Sequence, residues 1–265
     1  MIFDTHLHLN DEHLLGNLDE YIKEARLLGV TSFLCIGWDL ESSKKAIEIA
    51  EKYPFVYAAV AVMPTEHKKY NLLGSENATI DSLRELAKSS KKVIAIGEIG
   101  LDFYWENEPE IKEKQIKMFN EQIDLANELN LPVSIHARNA DQATFDILKT
   151  HKVNQAGIMH CYSGSYELAK EYIKIGFKIA FGGVLTFKNS KVTKEVIQKI
   201  GLENIVFETD APYLAPTPYR GKMNEPKYIK KTVEYASELL NVDLDELEKI
   251  TYKNSLKILH VENYD

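Results

Sequence analysis

The feature that most restricts the fold of this 265-residue chain is a regular alternation between short apolar runs and longer amphipathic stretches. The short runs are rich in β-branched residues and have the length of strands. The stretches between them repeat their apolar residues at helical spacing. A strand followed by a helix, eight times over, predicts an α/β fold, the (β/α)8 TIM barrel with parallel strands.

The predicted elements follow one another without a long linker rich in proline or glycine, so we interpret residues 1–265 as a single TIM-barrel domain. The predicted strands are Ile2–Leu7, Thr31–Trp38, Val56–Met63, Lys92–Glu98, Pro132–His136, Gly157–Cys161, Phe177–Phe181 and Asn204–Asp210. The predicted helices are Leu18–Leu28, Leu40–Lys52, Ile80–Lys88, Glu110–Leu129, Gln142–His151, Ser165–Ile175, Lys191–Ile200 and a closing pair from about Pro226 to Leu259.

A doubly wound open sheet is the alternative arrangement of alternating strands and helices. It needs fewer strands, and it usually carries a glycine-rich phosphate-binding turn after the first strand. In this chain the first strand is instead part of the sequence DTHLHLN. The barrel is therefore the preferred prediction.

Charge and cysteine usage indicate where such a protein works. The net charge of −8 argues against a surface that grips nucleic acid nonspecifically, although a local basic site is compatible with it. We find no signal-peptide pattern and no apolar segment of about 18 residues, so we expect a cytoplasmic protein without a membrane span. Cys35 and Cys161 form no C-x-x-C pair, which fits a reducing compartment and no disulfide.

Ionisable side chains stand at the carboxyl ends of several predicted strands, the end of a barrel where active sites lie. Taken singly, a histidine there is most often a hydrogen-bonded or surface imidazole, and an acid could cap the next helix. Their joint occurrence favours a metal site at one rim. The predicted ligands are His6, His8, Glu98, His136, His160 and Asp210. Outside this pattern, as surface or structural residues, lie His13, His67, His151 and His260.

Imidazole and carboxylate ligands suit divalent ions such as Zn²⁺, Mn²⁺ or Mg²⁺. Six ligands exceed what one catalytic ion with an open position uses. Two ions about 3.5–4 Å apart, bridged by a carboxylate and a water, would use them all. Glu98, on a strand between the others, is the predicted bridge. Such a water has a lowered pKa and attacks an ester or amide near neutral pH.

The loops after the seventh and eighth predicted strands carry basic and amide side chains, and barrels often bind phosphate there. Basic groups flanked by glycine and asparagine are suited to a backbone phosphate. A charge-rich loop can also be merely solvated. The candidate phosphate contacts are Lys188, Arg220, Lys222 and Asn224.

Aromatic residues follow the predicted ligands and offer faces for unpaired bases, which favours single-stranded or frayed ends as substrate. We predict substrate contacts for Trp105 and Tyr162, whereas Phe103 and Tyr213 are expected to cover loops. Arg138 either reaches a phosphate or pairs with an acid such as Glu208.

A set of sequence blocks, in this order and at these separations, resembles the signature of the TatD family of metal-dependent deoxyribonucleases across essentially the whole chain. The blocks are DTHLHLN, IGEIGLDFYW, SIHARNA, HCYSG, GGVLTFKNS, ETDAPYLAP and YRGKMNEP. The resemblance implies an amidohydrolase-type TIM barrel, two divalent ions held by the six predicted ligands, and hydrolysis of DNA, mainly as a 3'-5' exonuclease. It also implies that Asp210 orients or deprotonates the attacking water.

One block departs from that family, which commonly shows Gly-x-His-Pro-His after the third strand. This chain reads AVAVMPTEH, with Met63 and Thr65 where the histidines would stand. The role of that loop in proton transfer or phosphate contact is therefore in doubt, with His67 as a nearby substitute. Because the metal ligands are complete, we expect hydrolysis with an altered rate or substrate preference.

Two other functions are open from the residues alone. Another metal-dependent amidohydrolase or phosphoesterase of this barrel type would act on a small molecule, since the fold does not choose the substrate. Many such enzymes use a modified lysine on strand four, where this chain has Glu98. A noncatalytic protein with a structural metal is disfavoured, because a structural ion needs only four ligands.

Overall fold

Eight parallel strands form one sheet in which each strand pairs with the next along the chain. The computed structural model describes residues 1–70 and 78–262. The strands are β1 (Ile2–Leu7), β2 (Val30–Ile36), β3 (Val56–Val60), β4 (Val93–Asp102), β5 (Val133–Arg138), β6 (Gly157–Met159), β7 (Lys178–Phe181) and β8 (Ile205–Phe207). The predicted single-domain TIM barrel is confirmed in its fold class.

Helices alternate with the strands and cover the outside of the sheet. A capping box between Asp39 and Ser42 begins helix α3 (Leu40–Lys52). The side chains of Ser165 and Asp243 cap α7 (Tyr166–Lys174) and α10 (Leu244–Ile258). A short helix, α1, was not predicted. The helices are α1 (Glu12–Leu15), α2 (Leu18–Leu27), α3 (Leu40–Lys52), α4 (Ala78–Ser89), α5 (Pro109–Leu129), α6 (Asp141–Thr150), α7 (Tyr166–Lys174), α8 (Lys191–Lys199), α9 (Ile229–Leu240) and α10 (Leu244–Ile258).

The barrel closes between β8 and β1. The Asp210 amide donates to the His6 carbonyl over 2.9 Å, and the His8 amide donates to the Ala211 carbonyl over 2.8 Å. The buried Asp4 carboxyl accepts hydrogen bonds from the Thr209 amide and hydroxyl, at 2.9 and 2.6 Å. Burial raises the pKa of Asp4 to about 8. This seam therefore joins the two ends of the sheet at the rim that carries the predicted ligands.

The core has two parts. The larger cluster lies between sheet and helices and includes Ile2, Leu7 and Phe33. The smaller cluster draws alternate residues from around the sheet, among them Phe3 and Leu34, and the end of α10, so it fills the barrel interior.

The register of β1 shifts between Asp4 and Leu7, which breaks the strict alternation expected for this strand. Asp4 pairs with Phe33 of the outer cluster, whereas His6 faces inward. A regular strand would place Ile2, Asp4, His6 and His8 on one face, and the shift in β1 removes this arrangement. An irregularity of this kind re-aims the side chains that follow it.

Two further expectations concern location and cysteines. Among residues 1–70 and 78–262, no helix is both long and apolar enough to cross a bilayer. Cys35 and Cys161 are both free thiols. The cytoplasmic location stays a prediction.

Gly100 lies where β4 and β5 approach each other closely, opposite His136. Its φ is 140°, and a Cβ there would lie 2.0 Å from the His136 carbonyl oxygen. We expect Gly100→Ala to lower the free energy of unfolding by about 2 kcal/mol or more, through backbone strain and overpacking. The measurement is urea unfolding followed by circular dichroism.

Gly16→Ala is the matched control, because Gly16 has a φ of −63° and a Cβ there meets nothing within 4 Å. We expect its stability to change by less than about 1 kcal/mol. Equal stability of the two variants would contradict the close β4–β5 approach.

Candidate metal centre

A cavity opens at the carboxyl ends of the barrel strands. Five of the six predicted ligands line it directly, and His6 lies buried beneath them. Trp38, Met63, Glu66 and Tyr213 also contribute to its wall. The lining ligands are His8, Glu98, His136, His160 and Asp210.

The ligands do not all stand at strand ends as predicted. Glu98 lies inside β4, where the register shifts between Ile96 and Ile99 and the side chain is turned into the barrel. His160 and Asp210 follow the last residues of β6 and β8. Asp210 has a φ of 58°, a left-handed conformation that is uncommon outside glycine and is typical of functional sites.

Three of the four histidines are held by their Nδ1 atoms, which leaves Nε2 pointing to the centre. The carbonyl that faces His8 and the carboxylate that faces His160 only accept hydrogen bonds, so in the neutral imidazole the proton lies on Nδ1 and Nε2 keeps its lone pair. The Ser134 hydroxyl that faces His6 can accept in the same way. The Nδ1 distances are 3.2 Å to Ser134 Oγ for His6, 3.2 Å to the Ile36 carbonyl for His8 and 3.0 Å to Glu208 Oε2 for His160.

The free nitrogens converge on two carboxylates. Within the described chain, three groups of residues bring ligand atoms close enough to hold an ion. Two of them share His6: His6 with Glu98 and His160, and His6 with His8 and Asp210. The third consists of His160, Cys161 and Glu208. The Nε2 distances are 3.5 Å from His6 to Glu98 and 3.8 Å to Asp210, 3.4 Å from His8 to Asp210, and 3.9 and 4.0 Å from His160 to Glu98 and Asp210.

His6 shows that these residues fit a divalent ion. Its Nε2 is buried and has no hydrogen-bond partner, a costly state for a polar atom. Burial also lowers the pKa of His6, which favours the neutral imidazole that binds metal. A cation between His6 and the facing carboxylates would satisfy the nitrogen, and the mixed nitrogen and oxygen ligands suit Zn²⁺, Mn²⁺ or Mg²⁺.

His136 is oriented differently from the other three histidines. Its Nε2 lies 2.9 Å from Asp102 Oδ2, and its Nδ1 lies 2.6 Å from Glu98 Oε1. Burial works to lower the pKa of His136, but Glu98 and Asp102 outweigh it and raise the pKa to about 9. Both ring nitrogens face carboxylate oxygens and donate to them. Asp102 would keep the Nε2 hydrogen, and His136 would hold an ion through Nδ1 in place of the hydrogen that faces Glu98.

The pKa values of the two central carboxyls are lowered, although Glu98 is buried and Asp210 is largely buried. Burial acts to raise the pKa of Glu98, but the neighbouring His136 and His6 hold it well below its usual range. Burial opposes ionisation of Asp210 in the same way, and the hydrogen bond with His8 outweighs it and lowers the pKa. The centre thus concentrates negative charge where a cation would bind.

Three residues that orient the ligands were not found from the sequence: Ser134, Asp102 and Glu208. A signal existed for Glu208, which stands two residues before Asp210 and so shares its face. The alternative pairing of Arg138 with Glu208 is wrong, because Glu208 accepts from His160 and from the Cys161 amide.

Most predicted substrate contacts lie exposed near the rim. Arg138 lines the cavity, and its guanidinium stands 5.2 Å from the centroid of the Trp105 ring. Trp105 is 66% exposed. The other exposed contacts are Lys188, Arg220 and Lys222.

Two predicted substrate contacts lie in the interior, so these predictions are wrong. Tyr162 is 5% exposed and packs in the core with its hydroxyl donated to the Ser165 carbonyl. Asn224 is fully buried and donates to the carbonyls of Thr209 and Tyr213. Asn224 therefore holds the loop after β8 in place.

The loop after β3 presents Met63 and Glu66 to the cavity. His67 does not replace the missing histidines, because it is buried and hydrogen-bonded to Glu106. Tyr213, expected to cover a loop, lines the cavity and donates its hydroxyl to Asp11.

A family model and several known proteins each match nearly the whole chain. The family model described as TatD related DNase matches residues 3–260. The uncharacterized metal-dependent hydrolase YabD of Bacillus subtilis is 39% identical over 98% of this chain and 100% of its own length. MJ1582 of Methanocaldococcus jannaschii, also named a metal-dependent hydrolase, is 34% identical over 96% of this chain and 95% of its own length. The crystal structure of YjjV, a TatD homolog from Escherichia coli, superposes with a TM-score of 0.91 at 28% identity and covers 98% of both chains.

Glu208→Gln tests whether the partner of His160 supports metal binding. The amide accepts less strongly than the carboxylate, so His160 loses orientation and basicity. We expect the affinity for Mn²⁺, measured by isothermal titration calorimetry, to fall about 10- to 100-fold.

Asp124→Asn is the matched control, because it changes a carboxylate–histidine pair with His151 on the exposed surface. It should bind Mn²⁺ as the unsubstituted protein does. Similar affinities for the Glu208 and Asp124 variants would contradict the role of Glu208.

Proposed function

Since this chain belongs to the TatD-related DNase family, we propose that it is a metal-dependent hydrolase that cleaves DNA phosphodiester bonds, acting as a 3'-5' exonuclease on single-stranded or frayed ends. The observation that carries the proposal is the convergence of four imidazoles on Glu98 and Asp210, with the buried His6 Nε2 near both carboxylates but without a hydrogen-bond partner. The names of the relatives and the family support hydrolysis and metal dependence.

We propose two ions because the predicted ligands form two groups that share His6. His6, His8 and Asp210 form one group. His6, Glu98 and His160 form a second group, and His136 contacts Glu98. Glu98 is central to this arrangement, because its two oxygens face His136 and His6 separately.

The protein residues would bind substrate, hold a proton and keep the ligands in place. Bound divalent ions would supply electrophilic stabilisation of the phosphate and a water of lowered pKa. The Asp210 carboxylate is ionised, faces the cavity and so can accept a proton from the attacking water. Asp102 and Glu208 hold two of the imidazoles in the tautomer that this site requires.

Basic and aromatic residues at the rim of the barrel support the proposal that the substrate is a nucleic-acid strand. Arg138 lines the cavity, and Lys188, Arg220 and Lys222 are exposed on the loops after β7 and β8. Against a net charge of −8, such a basic rim would steer a polyanion to one mouth of the barrel. The exposed Trp105 ring offers a face on which an unpaired base stacks.

Digestion of end-labelled DNA tests this function. Single-stranded oligonucleotides labelled at the 5' end are incubated with the protein and Mg²⁺ or Mn²⁺ and separated on a sequencing gel. We expect a ladder of products that shorten from the 3' end. Asp210→Asn should lower the rate about 100-fold or more, because it removes both a ligand and the proton acceptor.

EDTA should abolish cleavage, and Asp124→Asn should cleave at the unsubstituted rate because its carboxylate lies on the surface. The nuclease proposal fails if the unsubstituted protein leaves DNA intact, or if Asp210→Asn cuts equally fast. Small esters and amides would then be screened with the same metal ions.

Met63→His tests the loop after β3. An imidazole on the cavity wall adds a donor for the phosphate, and a hydrogen bond contributes about 0.5–1.5 kcal/mol, so we expect kcat/KM for DNA to rise about 2- to 10-fold. Thr65→His is the control, because within the described chain Thr65 is not part of the cavity wall. An unchanged rate for Met63→His would show that this loop has no catalytic role.

A further inference from the structure

Asp102 makes two kinds of contact with the two oxygens of one buried carboxylate. Oδ2 lies 2.9 Å from Nε2 of the predicted ligand His136. Oδ1 accepts hydrogen bonds from the backbone amides of Tyr104 and Trp105, at 3.0 and 3.3 Å. The side chain is only 2% exposed, so water does not compete for these bonds. One carboxylate therefore joins a metal ligand to the turn that follows β4.

The position of Asp102 is itself set by α5. The Gln115 side chain accepts from the Asp102 amide at 2.9 Å and donates to its carbonyl at 3.0 Å. Gln115 is 1% exposed. The Phe103 amide donates to the Arg138 carbonyl over 2.9 Å, which ties the same turn to β5. Gln115 of α5 and the backbone of β5 thus hold Asp102 and the turn after it in place.

The turn held by Asp102 carries an exposed aromatic surface beside the cavity. Tyr104 is 50% and Trp105 66% exposed, although large rings are usually well buried. The two rings meet edge to face, with centroids 4.9 Å apart. The Arg138 guanidinium lies 4.0 Å from the Tyr104 centroid and also lines the cavity. We call Tyr104, Trp105 and Arg138 the aromatic platform.

We propose that the aromatic platform stacks an unpaired nucleobase of the DNA strand, and that Asp102 is a positioning residue that holds this platform and the metal ligand His136 in a fixed relation. The inference rests on the proposed nuclease function and assigns a task to a residue outside the ligand set. Exposed rings beside a guanidinium are suited to any base, because every base has a π-face. A rigid link places the stacked base at one distance from the reacting phosphate.

Two substitutions of Asp102 separate its two contacts. In Asp102→Asn the amide oxygen still accepts from the Tyr104 and Trp105 amides, but the NH2 group then faces His136. The His136 proton must move to Nδ1, so that nitrogen no longer serves as a ligand. In Asp102→Ala both the turn and the imidazole lose their partner.

The experiment measures two affinities on five proteins. The first is the affinity for fluorescein-labelled single-stranded oligothymidylate in EDTA, followed by anisotropy. The second is the affinity for Mn²⁺ alone, measured by calorimetry. The proteins are the unsubstituted chain, Asp102→Asn, Asp102→Ala, Trp105→Ala and the surface control Asp124→Asn, each checked for folding by circular dichroism.

For Trp105→Ala we expect the affinity for DNA to fall about 5- to 100-fold and the affinity for Mn²⁺ to stay unchanged. For Asp102→Asn we expect the reverse, a fall of about 10- to 100-fold for Mn²⁺ with DNA binding retained. For Asp102→Ala both affinities should fall, and for Asp124→Asn neither.

Three outcomes would overturn the inference. Unchanged DNA binding in Trp105→Ala would show that the platform binds no base. Equal affinities of the two Asp102 variants for DNA would show that the carboxylate does not hold the platform. In both cases digestion by the unsubstituted protein would leave the nuclease proposal standing. If the unsubstituted protein neither binds nor digests single-stranded DNA, the nuclease proposal itself fails and takes this inference with it.

Discussion

The backbone hydrogen bond from Asp210 to His6 is the interaction on which the rest of the structure depends. It joins β8 to β1, so it closes the barrel, and it places two predicted ligands next to each other in the same step. The bonds from Thr209 to the buried Asp4 reinforce this seam on the outer side of the sheet. Fold closure and site assembly are therefore one event. A chain that failed to close would also lose the site.

Inside the barrel, next to that seam, buried acidic side chains lie beside buried imidazoles. Charged groups are costly inside a protein unless they are paired, and here the acids and imidazoles pair with one another. Glu98 contacts His136, Asp210 contacts His8 and Glu208 contacts His160. Two buried side-chain atoms of the described residues lack a hydrogen-bond partner, His6 Nε2 and Thr144 Oγ1, and the first lies among the predicted ligands. Buried polar atoms normally have hydrogen-bond partners, and exceptions are most often found at functional sites. His6 Nε2 is such an exception at the centre of the ligand set.

The errors of sequence reasoning have a common cause. Tyr162 and Asn224 stand close to predicted ligands or basic residues along the chain, but their side chains turn into the protein. Neighbourhood in sequence does not specify on which side of a loop a side chain lies, because tertiary packing decides that. Arg138 illustrates the same limit, since its partners were the rings of Tyr104 and Trp105 and not the acid that seemed available.

The sequence by itself determined the barrel, because eight strand and helix patterns depend only on local periodicity, and it determined the six candidate ligands, because they follow from where each pattern ends. The tertiary structure alone decided that shifts of register turn His6 and Glu98 inward. It alone also decided which nitrogen of each imidazole faces the centre, and that Asp102 joins His136 to the aromatic platform. The physical reason is that these features are contacts between distant segments. Asp4 and Thr209, for example, are 205 residues apart and meet only when the barrel closes.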